Sequence, residues 1–397
     1  MRTLIIVASL GLFVACAEPS AIAQNEPPPN AENQTPAFPE QTRATRVSSG
    51  LDLQVREIAA GLSHPWAIAF LPSGDALVTE RAGRLRFVAS AGIVAAAAIS
   101  GVPEVDARNQ GGLLDVAVSP TFATDRLVYL SYAEPRGNGE NGTSVVRARL
   151  NERNAALENL QVIFRQQPSW RSQHHFGSRL VFDREGRLYV TLGERARAAS
   201  RAQEIDNHIG KVVRINADGS TPADNPFVGR AGAAPEVWSY GHRNVQGADL
   251  HPDTGELWTV EHGAQGGDEL NIPRAGRNYG WPIITYGEDY GGGRIGAGET
   301  QRAGMEQPIY YWDPVIAPGD IDFYRGTLFP WRGDLLVSGM KVRALVRLDI
   351  EGERVVGEER LDLGIGRVRD VSEAPDGSLW IVTDEDNGRI VRIAPRS

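Results

Sequence analysis

Val181-Phe182-Asp183-Arg184-Glu185-Gly186-Arg187-Leu188-Tyr189-Val190-Thr191 reads as a strand, a turn and a second strand. Asp, Glu and Gly supply the turn, and the apolar residues beyond it alternate with period two, so that each strand has one face to bury. The pattern returns in Phe70–Glu80 (FLPSGDALVTE), Leu250–Glu261 (LHPDTGELWTVE) and Ala374–Asp384 (APDGSLWIVTD). Looser copies near Ser119 to Ser131 and Phe329 to Ser338 bring the number to six. Six hairpin-centred units predict an all-β, six-bladed β-propeller with four antiparallel strands per blade. A sandwich or a two-domain chain also has turns at intervals and is the alternative. Compact blades take about 40 to 50 residues, and the wider spacing here leaves room for long loops. The stretch from Leu51 to Leu62 precedes the first unit and is predicted to give a strand to the last blade, closing the ring.

The 397 residues suit one large all-β domain, predicted over 51–397. A net charge of −9 argues against nucleic acid as a partner, while leaving a small anion in an arginine-lined pocket open. Nearly all basic residues are arginine; the only lysines are Lys211 and Lys341, which makes each of them a place to look. A lone cysteine, Cys16, excludes an intrachain disulfide.

Residues 1–23 read as an export signal, because the apolar run from Thr3 to Ala15 is shorter than the roughly 20 residues of a membrane span. Leu12-Phe13-Val14-Ala15-Cys16 resembles a bacterial lipoprotein cleavage box, which would leave a lipid anchor on Cys16. Cleavage after Ala21-Ile22-Ala23 is the alternative, and both readings export the protein to the periplasm. Residues 24–50, polar and containing Pro27-Pro28-Pro29, Pro36 and Pro39, are predicted to be a disordered tether.

Three loops carry candidate chemistry. His175, in His174-His175-Phe176-Gly177, sits just before a strand, with Glu194 beyond the strand that follows; an imidazole facing a carboxylate is an acid/base unit, although a loop histidine with a hydrogen-bonding role has the same spacing. Gly241-His242-Arg243-Asn244-Val245-Gln246-Gly247 offers donors for carboxylate or quinone oxygens, or else simply links two blades. Glu261 to Glu269 mixes carboxylates with glycines and suits a hard cation with oxygen ligands. It lacks the acidic spacing of an EF-hand, and no His or Cys spacing suggests zinc.

Together these segments, from about Gly61 to Arg392, resemble the soluble glucose/sorbosone dehydrogenases, most closely their aldose sugar dehydrogenase branch. The strings that carry the resemblance are Asn109 to Leu114, His175 to Val181, Gly241 to Gly247, Gly266 to Asn271, Asn278 to Pro282 and Arg367 to Val371. The resemblance implies a propeller holding pyrroloquinoline quinone (PQQ) and Ca2+ over its central channel, and oxidation of aldoses at C1 to the lactone. His175 matches the base, Glu194 its orienting carboxylate, and Arg243 a residue of both the catalytic and the cofactor sets. Gln110, Asn244, Lys341, Arg367, Arg369 and Asp384 match positions around PQQ, with Tyr290 and Trp312 placed near cofactor or substrate. Gly263 and Ala264 match main-chain ligands of the catalytic calcium, Glu269 and Tyr279 those of a second, structural ion. Val245 and Ala264 depart from prolines common in the family, and His262 from the glutamine of the glucose branch. The long insertions linked to dimers in that branch are absent, so a monomer is expected, using an aldose and an artificial or respiratory electron acceptor. A non-catalytic, envelope-binding propeller and a calcium-dependent propeller lactonase are the competing functions.

Overall fold

The computed structural model describes residues 27–31 and 34–396. The expected export signal and its two cleavage positions lie outside the described residues.

Each repeated unit is the turn between the first two strands of a blade. The first blade holds β2 (Pro65–Phe70), β3 (Ala76–Glu80) and β4 (Arg84–Val88), and the second holds β5 (Leu113–Val118), β6 (Leu127–Gly137), β7 (Glu140–Leu150) and β8 (Leu157–Arg165). The third is β9 (Gly177–Phe182), β10 (Arg187–Leu192), β11 (Lys211–Asn216) and β12 (Val237–Tyr240). The fourth is β13 (Val245–Leu250), β14 (Leu257–Glu261), β15 (Asp268–Asn271) and β16 (Tyr310–Trp312), and the fifth β17 (Pro318–Phe323), β18 (Leu335–Gly339), β19 (Ala344–Glu351) and β20 (Arg354–Asp362). The last blade combines β21 (Val368–Glu373), β22 (Leu379–Thr383) and β23 (Gly388–Pro395) with β1 (Leu53–Leu62), which pairs antiparallel with β23 and closes the ring as expected. Five blades have four strands. The first has three, its outer place taken by isolated bridges from Val94 to Val88 and Ile99 to Leu85.

The six inner strands β2, β5, β9, β13, β17 and β21 touch in sequence around the axis. Each gap between blades is filled by its own apolar cluster, such as Leu188, Val190 and Val213 against Tyr129, Val145 and Phe164. In four of the six repeats the Ser or Thr near the end has a role in this packing. Thr79, Ser131, Thr191 and Ser338 donate their hydroxyls to main-chain carbonyls of the next blade, at Leu114 (2.5 Å), Ser178 (2.7 Å), Val245 (2.9 Å) and Arg369 (2.9 Å). Inner-strand aspartates add a second set of pins, Asp115 accepting the Leu180 N–H and Asp370 the Ile68 N–H, each at 2.7 Å.

On the axis, Arg179 is buried among Asp115 (2.9 Å), Asp320 (3.0 Å) and Asp370 (3.1 Å) and lies over the Trp66 ring. Burial raises the Asp115 carboxyl to about 6 even though Arg179 opposes it.

The expected disordered tether needs correction over residues 34–50. Gln41 is fully buried, donating to the Pro308 carbonyl (2.8 Å) and accepting the Ala37 N–H (2.7 Å), while its carbonyl accepts the Tyr311 N–H on the edge of the fourth blade. Arg46 pairs with buried Glu358, and Val47 bonds the Glu358 carbonyl on the fifth. The segment lacks apolar residues for a core of its own, but edge strands offer unpaired backbone groups, and those hold it.

Candidate active site

The hairpin of β9 and β10 brings together the two residues that sequence separates by nineteen. Gly177 pairs with Leu192, His175 lies two residues before the one, and Glu194 two after the other. The His175 Nδ1–H donates to Glu194 Oε2 at 2.7 Å, with His175 9% and Glu194 1% exposed. Glu194 is itself held by its N–H to the Arg243 carbonyl (2.8 Å) and by the Ala196 N–H to the same carboxylate oxygen. Burial pushes the imidazole below its ordinary value, Glu194 pulls it back, and Arg243 and His174 oppose protonation. The ring is therefore neutral near pH 7, with Nδ1 protonated and Nε2 carrying the lone pair.

Beside this pair, at the axis, a pocket is lined by Gln110, Asn244, Arg367, Arg369 and Asp384 of the expected set. Gln110 Oε1 accepts the His175 N–H at 2.8 Å, and Asn244 Oδ1 the Gly177 N–H at 3.1 Å, tying the pocket wall to the histidine loop. Arg243 donates to the His262 carbonyl (3.0 Å) and the Tyr290 hydroxyl (3.2 Å); Tyr290 itself is exposed. Arg369 is buried, donates to Gln246 Oε1 at 2.8 Å and lies 4.3 Å from the Trp66 ring centroid. Burial lowers its pKa to about 10, with Asp384 opposing. Burial resists ionisation of Asp384, but Arg369, His64, Arg81 and Arg367 outweigh it and hold the carboxyl below its usual range. Lys341 is exposed and follows Met340, which lines the pocket.

Of the other lining residues, Trp66, Arg81 and Met340 escaped the sequence reading, and Gln246 and His262 were named in their loops without being assigned to the site. Arg81, His262 and Met340, like Asp384, fall just past the second strand of their blades, a position that faces the axis whenever the repeat is aligned. Repeat register was thus a signal for them. His262 donates from Nε2 to the Pro318 carbonyl at 2.7 Å, and burial drops its pKa to about 3, so it stays neutral.

The donor chemistry fits an anionic cofactor. Among the described residues, Arg81, Arg243 and Arg369 each have a buried Nε without a hydrogen-bond partner, and the pocket wall carries three guanidiniums, of Arg81, Arg367 and Arg369, against the single carboxylate of Asp384.

For a cation, Gly263 and Ala264 lie in a loop where Gly266 and Gly267 both adopt positive φ. A Cβ at Gly266 would meet the Asp313 carboxyl at 2.8 Å, and one at Gly267 the Gly287 backbone at 2.6 Å, so this turn needs glycine. Asp268 secures the loop by accepting the Gly263 (2.8 Å) and Ala317 (2.7 Å) N–H groups. Glu269 lies near Glu261 and shares the Asn271 amide with it, at 3.1 Å each. Burial and the neighbouring Glu261 and Asp268 charges raise its carboxyl well above the ordinary value, and Asn271 Oδ1 has no donor among the described residues. An all-oxygen set lacking a positive charge fits a hard cation such as calcium. Among the described residues no three His, Cys, Asp or Glu side chains are grouped to hold a metal, so such an ion would depend on main-chain carbonyls. Tyr279 stacks on His242, whose Nδ1 donates to Glu261, but its hydroxyl is taken up by the Ile272 carbonyl and the Arg274 N–H, leaving only its carbonyl for a ligand role.

Two other expectations resolve differently. Trp312, 2% exposed, packs edge-on against Tyr310 in the core between the fourth and fifth blades and does not line the pocket. Lys211 is buried, its ammonium donating to the carbonyls of Arg201 (3.0 Å), Ala202 (3.0 Å) and Ile209 (2.5 Å) below the loop that carries Glu194.

The family described as glucose/sorbosone dehydrogenase matches residues 62–392. The aldose sugar dehydrogenase YliI of Escherichia coli K12 is 42% identical over 340 residues, covering 85% of this chain and 91% of its own. A crystal structure of a glucose dehydrogenase superposes with a TM-score of 0.83 at 47% identity, over 87% of this chain and 100% of that one. The PQQ-bound form of an aldose sugar dehydrogenase from Streptomyces coelicolor gives a TM-score of 0.71 at 28% identity, over the same shares.

Proposed function

Because the chain belongs to the glucose/sorbosone dehydrogenase family, we propose that it oxidises aldoses at C1 to the lactone with PQQ and calcium as cofactors. The observation that carries the reading is the buried His175–Glu194 pair beside a pocket that gathers the guanidiniums of Arg81, Arg367 and Arg369.

When bound, PQQ supplies a quinone that accepts hydride, and calcium polarises the accepting carbonyl. His175 Nε2 takes the proton of the sugar's C1 hydroxyl as the C1–H bond breaks and its electron pair leaves with the hydrogen. Glu194 keeps the Nδ1 proton in place and stabilises the imidazolium. Arg81, Arg243, Arg367 and Arg369 would hold the cofactor's carboxylates, with Gln110, Asn244, Asp384, Tyr290 and Lys341 around the quinone. The carbonyls of Gly263 and Ala264 would hold the calcium, and Glu269 with the Tyr279 carbonyl a second ion. The two electrons pass on to an external acceptor, a dye or a respiratory component. The N-terminal apolar run and Cys16 support periplasmic export with or without a lipid anchor, and the lack of long insertions supports a monomer.

The test is calorimetric titration of the purified chain with PQQ in calcium, followed by aldose-dependent dye reduction. The expected result is saturable PQQ binding that weakens in Arg369→Met, and turnover lost in His175→Ala. Absence of PQQ binding overturns the proposal, and lactone hydrolysis without PQQ would assign hydrolase chemistry instead.

A further inference from the structure

His175 has a φ of 53°, in the left-handed region. That region is uncommon for a residue other than glycine, so the contacts that hold His175 there matter. Among the described residues, the group that meets the backbone on both sides of His175 is the guanidinium of Arg195. Its Nη1 donates to the carbonyls of His174 (2.8 Å) and His175 (3.1 Å). Its Nη2 donates to the Ser172 carbonyl (3.0 Å) and to Asn141 Oδ1. The guanidinium lies 3.6 Å from the centroid of the Phe176 ring, the residue after His175, and the whole side chain is 0% exposed.

Two features mark this as more than packing. First, no carboxylate lies within ion-pair distance of Arg195 among the described residues, so a buried cation is solvated by carbonyl dipoles and the face of the Phe176 ring. Burial correspondingly depresses its pKa to about 9, with the charges of Glu194 and Asp106 opposing. Such an arrangement is a poor source of stability compared with an apolar side chain of similar size. Second, Arg195 follows Glu194 directly in the chain and itself has a φ of 62°. The residue adjoining the orienting carboxylate therefore reaches back to grip the loop of the base.

We infer that Arg195 is a positioning residue: its planar fork fixes the Ser172–Phe176 loop in the conformation that sets His175 Nδ1 against Glu194. A planar fork holds acceptors along two separate nitrogens in one fixed plane, whereas a lysine ammonium gathers its acceptors around a single point on a flexible stem. The functional consequence rests on the reading of His175 as the base, but the geometric one does not.

The experiment compares wild type, Arg195→Met and Arg195→Lys as full chains. Proton NMR of cofactor-free protein reads the His175 Nδ1–H hydrogen bonded to Glu194, assigned by its loss in His175→Ala, with a thermal melt on the same samples. Both variants are expected to retain a cooperative melt and to lose or broaden that signal, Lys included. In the PQQ- and calcium-loaded enzyme, kcat should then fall by roughly 100-fold while KM for the sugar changes little, as for a misplaced base. An unchanged Nδ1–H signal in Arg195→Met overturns the proposal. So does failure of both variants to fold, which would make Arg195 a determinant of the blade rather than of the loop. A lost signal in a chain that never binds PQQ would leave the positioning role standing while rejecting the proposed reaction.

Discussion

If the proposed reaction holds, replacing Glu194 with Gln keeps the shape of the group that orients His175 and removes its charge. In the wild type the carboxylate accepts the His175 Nδ1–H at 2.7 Å and is 1% exposed, so solvent does not screen the interaction. A hydrogen bond to a charged partner contributes about 1.5–3 kcal/mol, which corresponds to a loss of roughly 10- to 150-fold in kcat/KM. Removing a general base, the role proposed for His175, costs about 10²- to 10⁴-fold, so Glu194→Gln should be the milder lesion of the two. The pH profile carries the sharper test. Burial already lowers the imidazole pKa, and Glu194 is the main opposing influence. Without that charge the pKa falls further, so the acid limb of kcat/KM moves to lower pH while the plateau drops. Stability follows the same sign. A folded pKa below the unfolded value of 6.5 means that the native state binds the proton later, so the contribution is fully present above 6.5 and is lost as pH falls towards the folded pKa. The assay is steady-state dye reduction from acid to neutral pH with saturating PQQ and calcium. An acid limb displaced upward, or a plateau as low as that of His175→Ala, would refute the reasoning.

Arg179→Met leaves Asp115, Asp320 and Asp370 buried without their shared cation, and should cost about 3–5 kcal/mol by denaturant unfolding at neutral pH. The loss should shrink as pH falls below about 6, where the raised Asp115 carboxyl takes up its proton. Gln41→Ala strands the Ala37 N–H and the Pro308 carbonyl and should destabilise the chain by about 1–3 kcal/mol, whereas a free tether would show no change. Glu269→Gln should raise the melting temperature of chelator-treated protein, because the raised carboxyl pKa means that ionisation of Glu269 opposes folding there, and should abolish any further rise on adding calcium.

The legible parts of this protein are those whose cause is local. Turn residues followed by period-two alternation mark the start of a blade wherever they occur, so six blades, and β1 as the closing strand, could be read from Val181–Thr191 and its copies. The His175–Glu194 pair was legible for the same reason, since one hairpin joins its two members. The tether was misread because composition reports whether a segment can build its own core, not whether a neighbouring strand edge will pair with it.

Local pattern could not say which residues meet on the axis. Trp66, Gln246 and Arg369 come from three different blades, and they touch only because apolar clusters between the blades set the radius of the ring. Trp312 failed as a pocket residue for the converse reason, as strand alternation and blade packing turned it into the core. By itself the sequence determined the repeat, the closing strand and the hairpin that joins His175 to Glu194, because hydrogen-bonded turns and alternation act over a few residues. The tertiary structure alone decided the Arg179 cluster and the arginine-lined pocket, whose distances exist only once the ring is closed, and the setting of Arg195, which takes Asn141 from the neighbouring blade.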